Sequence, residues 1–123
     1  MSRPPFLFIA AVSGFVSVAV GAFGAHALKH IFNEYSLDIY KTGVSYQMWH
    51  TLLLALLALL PDHKLLRWAG WLLTAGMVLF SGSLYLLAIL NIRWLGMITP
   101  VGGLAFLLAW ALLARFAIKY HRE

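Results

Sequence analysis

A histidine stands inside an apolar stretch of this chain. Gln47-Met48-Trp49-His50-Thr51 is followed by Leu52 to Leu60 with no charged residue. An ionisable side chain in such a setting is expensive, so it needs a partner and often has a job. At helical spacing Gly43, Gln47, His50, Thr51 and Leu54 share one face, and Tyr46 lies one turn before His50. Further polar groups interrupt the other apolar runs: His26, the Ser81/Ser83 pair around Gly82, Tyr85 and Thr99. Three chemistries could use them. His26 and His50 could supply the two axial ligands of a haem, although no motif accompanies the pair. Tyr46, Gln47, His50, Ser81, Ser83 and Tyr85 could carry a proton or a small solute. An intramembrane enzyme is the third, and its usual groups are missing. No Asp or Glu lies within an apolar run, HExxH is absent, and no Ser-His-acid arrangement is apparent. Against all three stands a structural role. The polar groups would bond one another, fix helix register and leave a surface for lipid or a protein partner. That reading leads, with no catalytic residue, no metal and no cofactor expected.

The elements that must position these groups are long apolar helices. Four segments, at about residues 6–28, 41–60, 65–90 and 94–118, reach the length of about 20 residues that crosses a bilayer. No period-two alternation extends over the length of a barrel strand. The expectation is an all-α integral membrane four-helix bundle, with residues 1–123 forming a single transmembrane domain. Composition agrees. The chain is 63% apolar and 11% charged, against roughly 25% charged residues in soluble domains. The net charge of +5 does not point to nucleic acid, because the basic residues flank apolar runs rather than lining one helix face. Cysteine is absent, which excludes disulfides, thiolate metal sites and a Cys nucleophile. Ala25-His26-Ala27 fits a signal-peptidase pattern, but the first apolar run exceeds a signal core and is expected to be retained.

With four spans, Arg3, Lys64, Arg67, Arg115, Lys119 and Arg122 lie on one side, and Lys29, Lys41 and Arg93 on the other. The excess of basic residues places both termini in the cytoplasm; in a bacterium the first and third loops would then be periplasmic. Pro61 to Lys64 and Asn91 to Arg93 are tight turns, so spans two to four run up and down. The first connection, about Lys29 to Tyr40, is longer. Ile31, Phe32, Tyr35 and Ile39 recur there at helical spacing, as in a short helix at the membrane surface; an irregular loop with interfacial aromatics is the alternative.

Within lipid, close packing and hydrogen bonds hold helices together. Ala10, Gly14, Ser17, Gly21 and Gly24 form one small-residue stripe on the first span, suited to packing within the chain or to a homo-oligomer. Thr99-Pro100-Val101-Gly102-Gly103 either starts the fourth helix or kinks it at Pro100. His30, His63 and His121 fall in loops or the basic tail, where solvation explains them. Trp49, Trp68, Trp71, Trp94 and Trp110 read as aromatic belts at span ends.

Four motifs stand in one order: Gly21-Ala22-Phe23-Gly24-Ala25-His26, Thr42-Gly43-x-x-Tyr46-Gln47-x-x-His50, Leu79-Phe80-Ser81-Gly82-Ser83-x-Tyr85 and Thr99-Pro100-Val101-Gly102-Gly103. In this the chain resembles the family of small membrane proteins that includes bacterial YgdD and YwdK and is related to eukaryotic transmembrane protein 256. The resemblance covers nearly the whole chain. It implies a multi-span inner-membrane protein and supplies no activity, substrate or cofactor. A small accessory protein that binds lipid or a larger membrane complex is the expected function; the alternative is a small-solute or proton transporter using the polar cluster.

Overall fold

The computed structural model describes residues 3–122, and four long helices account for most of them. Helix α1 (Phe6–Leu28) contains no charged residue. A π-helical segment, Ala19–Gly24, interrupts it. The wider turn bonds the Ala25 amide to the Val20 carbonyl, and that carbonyl also accepts the Tyr40 hydroxyl at 2.5 Å. A π segment thus frees backbone for a neighbour.

Helix α2 (Glu34–Leu59) begins where the Asn33 side chain accepts the Ser36 amide at 2.7 Å, with Glu34 in the first turn complementing the helix dipole. It stops before Pro61, which disfavours helix at the residue preceding it. The expected short surface helix in the first connection is therefore corrected. Its residues are helical from Glu34 onward, but they form the opening turns of α2, and only residues 29–33 connect. Nothing at Lys41-Thr42-Gly43 breaks the helix, and Tyr40 is buried against α1 rather than lying at an interface.

Helix α3 (Lys64–Leu90) is capped by His63, whose Nδ1 accepts the Leu65 amide at 3.0 Å. In the preceding turn the Arg67 guanidinium bonds Asp62 and holds its carboxyl below the usual range. A second π segment, Met77–Ser81, lies midway along α3. The helix ends at Asn91, whose φ of 56° is left-handed and whose amide bonds the Leu87 carbonyl. Left-handed backbone costs most side chains about 1–2 kcal/mol and glycine nothing. Asn91→Val should lower stability by about that amount and Asn91→Gly should not, as read by thermal unfolding in detergent.

A 3₁₀ turn, Arg93–Met97, leads into helix α4 (Thr99–Arg122). Pro100 occupies the first turn, and the Val101 and Gly102 amides both reach the Ile98 carbonyl. Helix four therefore starts at Thr99, as the Thr-Pro start signal reads, rather than running through Pro100 with a kink.

Helices α2 and α3 are the centre of the bundle. Helix α1 lies along α2 and inserts Phe6 over Gly70 of α3. Helix α4 lies along α3 on the opposite flank and inserts Phe106 over Gly76. Leu54, Leu73, Ala69 and Ala109 are fully excluded from the surroundings. The small-residue stripe of α1 faces α2: Gly14 opposes Thr51, Gly21 opposes Val44, Gly24 opposes Tyr40, and Ala10 and Ser17 are buried. Phe8, Phe15 and Phe23 point outward. Helices α1, α3 and α4 (with its 3₁₀ turn) are long and apolar enough to cross a membrane. Helix α2 is comparably long but is not among them, so three of the four expected spans meet that test; Glu34, Asp38 and Lys41 stand in its first turns, and Gln47, His50 and Thr51 follow. Arg3 bonds the Leu60 carbonyl and His63 packs on Phe116, so the start of the chain, the Pro61 turn and the end of α4 share one face of the bundle.

Candidate functional site

The polar groups at the middle of the bundle form separate hydrogen-bonded sets. The first joins α1, α2 and α3. The Gln47 amide donates to the Ser13 carbonyl at 3.2 Å and to its hydroxyl at 3.1 Å. The Gln47 carbonyl oxygen accepts the Tyr85 hydroxyl at 2.6 Å. Ser13 and Thr51 share a hydroxyl bond of 2.7 Å, and Thr51 also reaches the Met77 sulfur. Gly43 makes room for Tyr85, since a Cβ there would stand 2.8 Å from the phenol ring. Tyr85→Phe would leave the Gln47 oxygen unpaired. The expected loss is about 1 kcal/mol, in the range of membrane hydrogen bonds, and Gln47→Leu combined with it should recover part of that loss in detergent unfolding.

The second set joins α2 to α4 and holds His50. Its Nδ1 lies 2.7 Å from the Tyr46 carbonyl, and its Nε2 lies 3.1 Å from Trp110 Nε1. A carbonyl only accepts and an indole N–H only donates, so the partners fix the imidazole as neutral, with its proton on Nδ1. The ring stacks on Phe106 at 3.7 Å with an interplanar angle of 7°. Both ring nitrogens are thus engaged, and the ring faces are covered on one side.

Two smaller sets lie nearer the end of the bundle where α4 begins. Ser81 donates to the Gly43 carbonyl at 2.6 Å, tying α3 to α2. Ser83 and Thr99 share a hydroxyl bond of 2.5 Å, tying α3 to α4. The π segment of α3 accounts for much of this layout. It turns Met77 toward the first set, Ser81 toward α2 and Phe80 toward α4. Among the described residues, no buried side-chain nitrogen or oxygen lacks a partner.

The sequence placed His26 with His50, and the fold separates them. His26 is exposed at the far end of α1, beyond the level where Gly24 meets Tyr40. His50 lies near the level where Gly14 meets Thr51, about 15 Å along the axis. The two cannot flank one haem. His50 is also not in the half of the bundle nearest the first connection. Helix α2 starts at Glu34, so its midpoint is Gln47, and His50 lies slightly beyond it.

Several contributors carry weaker signals in the sequence. Ser13 is one residue off the small stripe of α1. Trp110 was grouped with the aromatic belts, yet it lies in the middle of α4; its distance from either end of the span is the available clue. Met77 and Phe106 look like ordinary core residues.

Two openings reach these sets from the side. Between α1 and α3 a crevice of about 330 Å³ runs past Val12, Thr74 and Gly82 to Ser13, Gln47 and Tyr85. Between α2 and α4 a groove of about 870 Å³ is walled by Tyr46, Trp49, His50, Phe80, Phe106 and Trp110 and floored by Pro100 and Gly103. It is the larger of the two and mostly apolar. Groups of three or more His, Asp or Glu able to hold a metal ion do not occur among the described residues.

Residues 20–103 match a family described as "Protein of unknown function (DUF423)". The chain is 44% identical over 119 residues to the UPF0382 membrane protein YwdK of Bacillus subtilis, covering 94% of this chain and 97% of that one. It is 43% identical over 120 residues to the UPF0382 inner membrane protein YgdD of Escherichia coli K12, covering 95% and 92%. A UPF0382 membrane protein of Staphylococcus epidermidis is 39% identical over 117 residues, covering 94% and 96%. No solved structure matches the chain.

Proposed function

The chain belongs to the DUF423 family of membrane proteins, and from that premise we propose that it is a non-catalytic accessory protein of the bacterial inner membrane that holds a lipid-phase molecule in the groove between α2 and α4. The observation that carries this reading is the contrast between polar side chains that are paired with one another and a larger, mostly apolar groove beside them. Gln47, Ser13, Thr51, Tyr85, Ser81 and Ser83 satisfy one another or nearby backbone. The groove is lined by rings and aliphatic side chains and opens sideways, where apolar molecules arrive from a bilayer.

Both termini lie in the cytoplasm in this reading. The shared face that joins Arg3, the Pro61 turn and the end of α4 also collects the larger group of basic residues. A larger membrane complex is the natural recipient of the bound molecule or of the exposed α4 face. A proton or solute path through the polar sets would need them open toward both membrane faces; their mutual pairing counts against it.

The test is purification in native lipid particles followed by mass spectrometry of what remains bound after exchange into mild detergent. The unmodified protein should retain lipid-phase molecules. Gly103→Leu, which projects a side chain into the groove where a Cβ itself meets only ordinary contacts, should lose them while unfolding at the same temperature. Equal retention by the two proteins would overturn the groove reading.

A further inference from the structure

The end of the bundle that carries the Pro61 turn collects charge beside exposed apolar surface. A pocket of about 210 Å³ opens there between the start of α1 and the turn. Arg3, Asp62 and Arg67 supply its polar wall, and Phe6, Leu7 and Leu57 its apolar one. His63 also lines it, but its ring is committed to the Leu65 amide and to Phe116. Arg67 belongs to a second hollow as well, with Lys64, Trp68 and Trp71. These four recur at helical spacing on one face of α3, and Trp71 meets Phe6 edge-on at 5.1 Å. The two hollows are therefore halves of one surface, with Arg67 between them.

The guanidiniums are held in place and still have donors to give. Arg3 donates through Nη2 to the Leu60 carbonyl, and Arg67 donates to Asp62 through Nη2 and, at 2.9 Å, through Nε. A guanidinium carries five N–H groups, so both keep some for a ligand. Such forks suit the oxygens of a phosphate. Asp62 does not neutralise the site, because Arg3, Lys64 and Arg67 outnumber it, and Arg67 occupies both its oxygens. Among the lining residues, a ligand's ammonium would find no free carboxylate.

Charge also sets the level of this surface. Charged side chains are expensive in hydrocarbon, so the turn stands at its border. Trp68 and Trp71 follow about one and two turns further along α3, where interfacial aromatics gather. Lipid phosphates lie in the headgroup layer at that same border.

We propose that this end of the bundle binds an anionic phospholipid, its phosphate held between the Arg3 and Arg67 guanidiniums and its acyl chains laid against Leu7 and Trp71. Basic pockets between membrane helices take such headgroups. The site is separate from the groove between α2 and α4, and neither reading depends on the other.

The test compares dioleoyl phosphatidylglycerol with dioleoyl phosphatidylcholine, which has the same chains and no net charge. Native mass spectrometry of the full-length protein released from detergent counts what is bound. The unmodified protein should prefer phosphatidylglycerol. Arg3→Gln, a change ahead of α1, should weaken that binding about tenfold, the worth of a charge-assisted hydrogen bond, and leave phosphatidylcholine unaffected. Asp62→Asn releases Arg67 and removes a repelling charge, so it should strengthen phosphatidylglycerol binding about threefold. Equal affinity for the two lipids, or an Arg3→Gln protein that binds like the unmodified one, overturns the site. Weaker binding by Asp62→Asn overturns the placing of the phosphate at Arg67. Full displacement by free glycerol phosphate would assign the pocket to a soluble phosphate ester and overturn the lipid. Gly103→Leu should bind phosphatidylglycerol as the unmodified protein does; loss in that variant alone would move the lipid to the groove and overturn this site.

Discussion

Gly102→Ala should be the most damaging single substitution in this protein, lowering its stability by about 3 kcal/mol, the upper part of the usual range for overpacking. A Cβ on Gly102 would overlap the Phe80 amide nitrogen and stand 2.8 Å from the Phe80 Cα. Those atoms belong to backbone inside the π segment of α3 and cannot rotate away as a side chain could. The two helices would have to separate, and the neighbouring contacts would go with them. Phe106 packs over Gly76 at the same level, where an added Cβ would stand 3.2 Å from the Gly102 carbonyl. In lipid, separation is not resisted by the hydrophobic effect, because tails fill the gap; the close contact itself holds the seam. Gly103→Ala is the control. Its Cβ would meet only the Phe80 ring at 3.8 Å, and its effect should stay within about 0.5 kcal/mol. Denaturant or SDS titration followed by circular dichroism separates the two. Equal midpoints for the two variants would show that the α3–α4 seam is looser than this packing.

His50→Ala should rank next, at about 2–3 kcal/mol. Three losses coincide. The Phe106 face loses a ring at 3.7 Å, the Trp110 N–H loses its acceptor, and the volume of a buried ring is vacated. Removing a buried large side chain costs about 2–5 kcal/mol, and an orphaned donor adds to this. A double-mutant cycle isolates the polar part. Trp110→Phe keeps the ring and removes the donor, so its coupling to His50→Ala should be about 0.6–1.7 kcal/mol. Coupling near zero would mean that the His50–Trp110 bond contributes nothing, and that the stack alone holds α4 to α2.

The architecture was legible in the sequence because lipid imposes strong rules. Long uncharged runs, Pro61 after one helix and Thr99-Pro100 before another leave few alternatives to a helical bundle. The spacing of Gly14, Ser17, Gly21 and Gly24 displayed a packing face without any knowledge of the neighbour. His50 was conspicuous for being polar in an apolar run. Its partner was not, because Trp110 is 60 residues away and an indole in an apolar helix looks like any other aromatic. The pairing with His26 failed because chemical likeness carries no information about depth; the register of α1 on α2 sets it. The start of α2 was misplaced for a related reason. The charged and polar residues between Lys29 and Tyr40 read as a connection ahead of a span starting at Lys41, whereas Asn33 caps a helix that runs on from Glu34 without a break. Neither π segment, Ala19–Gly24 or Met77–Ser81, carries a sequence signature, since the widened turn is chosen by what packs against it.

The modest hydropathy of α2 has a consequence for how this chain is made. During synthesis α1 emerges first, and it is long and apolar enough to cross a membrane without help from its neighbours. Helix α2 then arrives with Gln47, His50 and Thr51 still lacking Tyr85, Trp110 and Met77, which have not been translated. Ser13 on α1 is the companion already present for Gln47 and Thr51. Helix α2 is therefore expected to settle only once α3 has followed through the short Pro61 turn, the two packing as a hairpin beside α1. Helix α4 comes last, and the groove exists only from that moment.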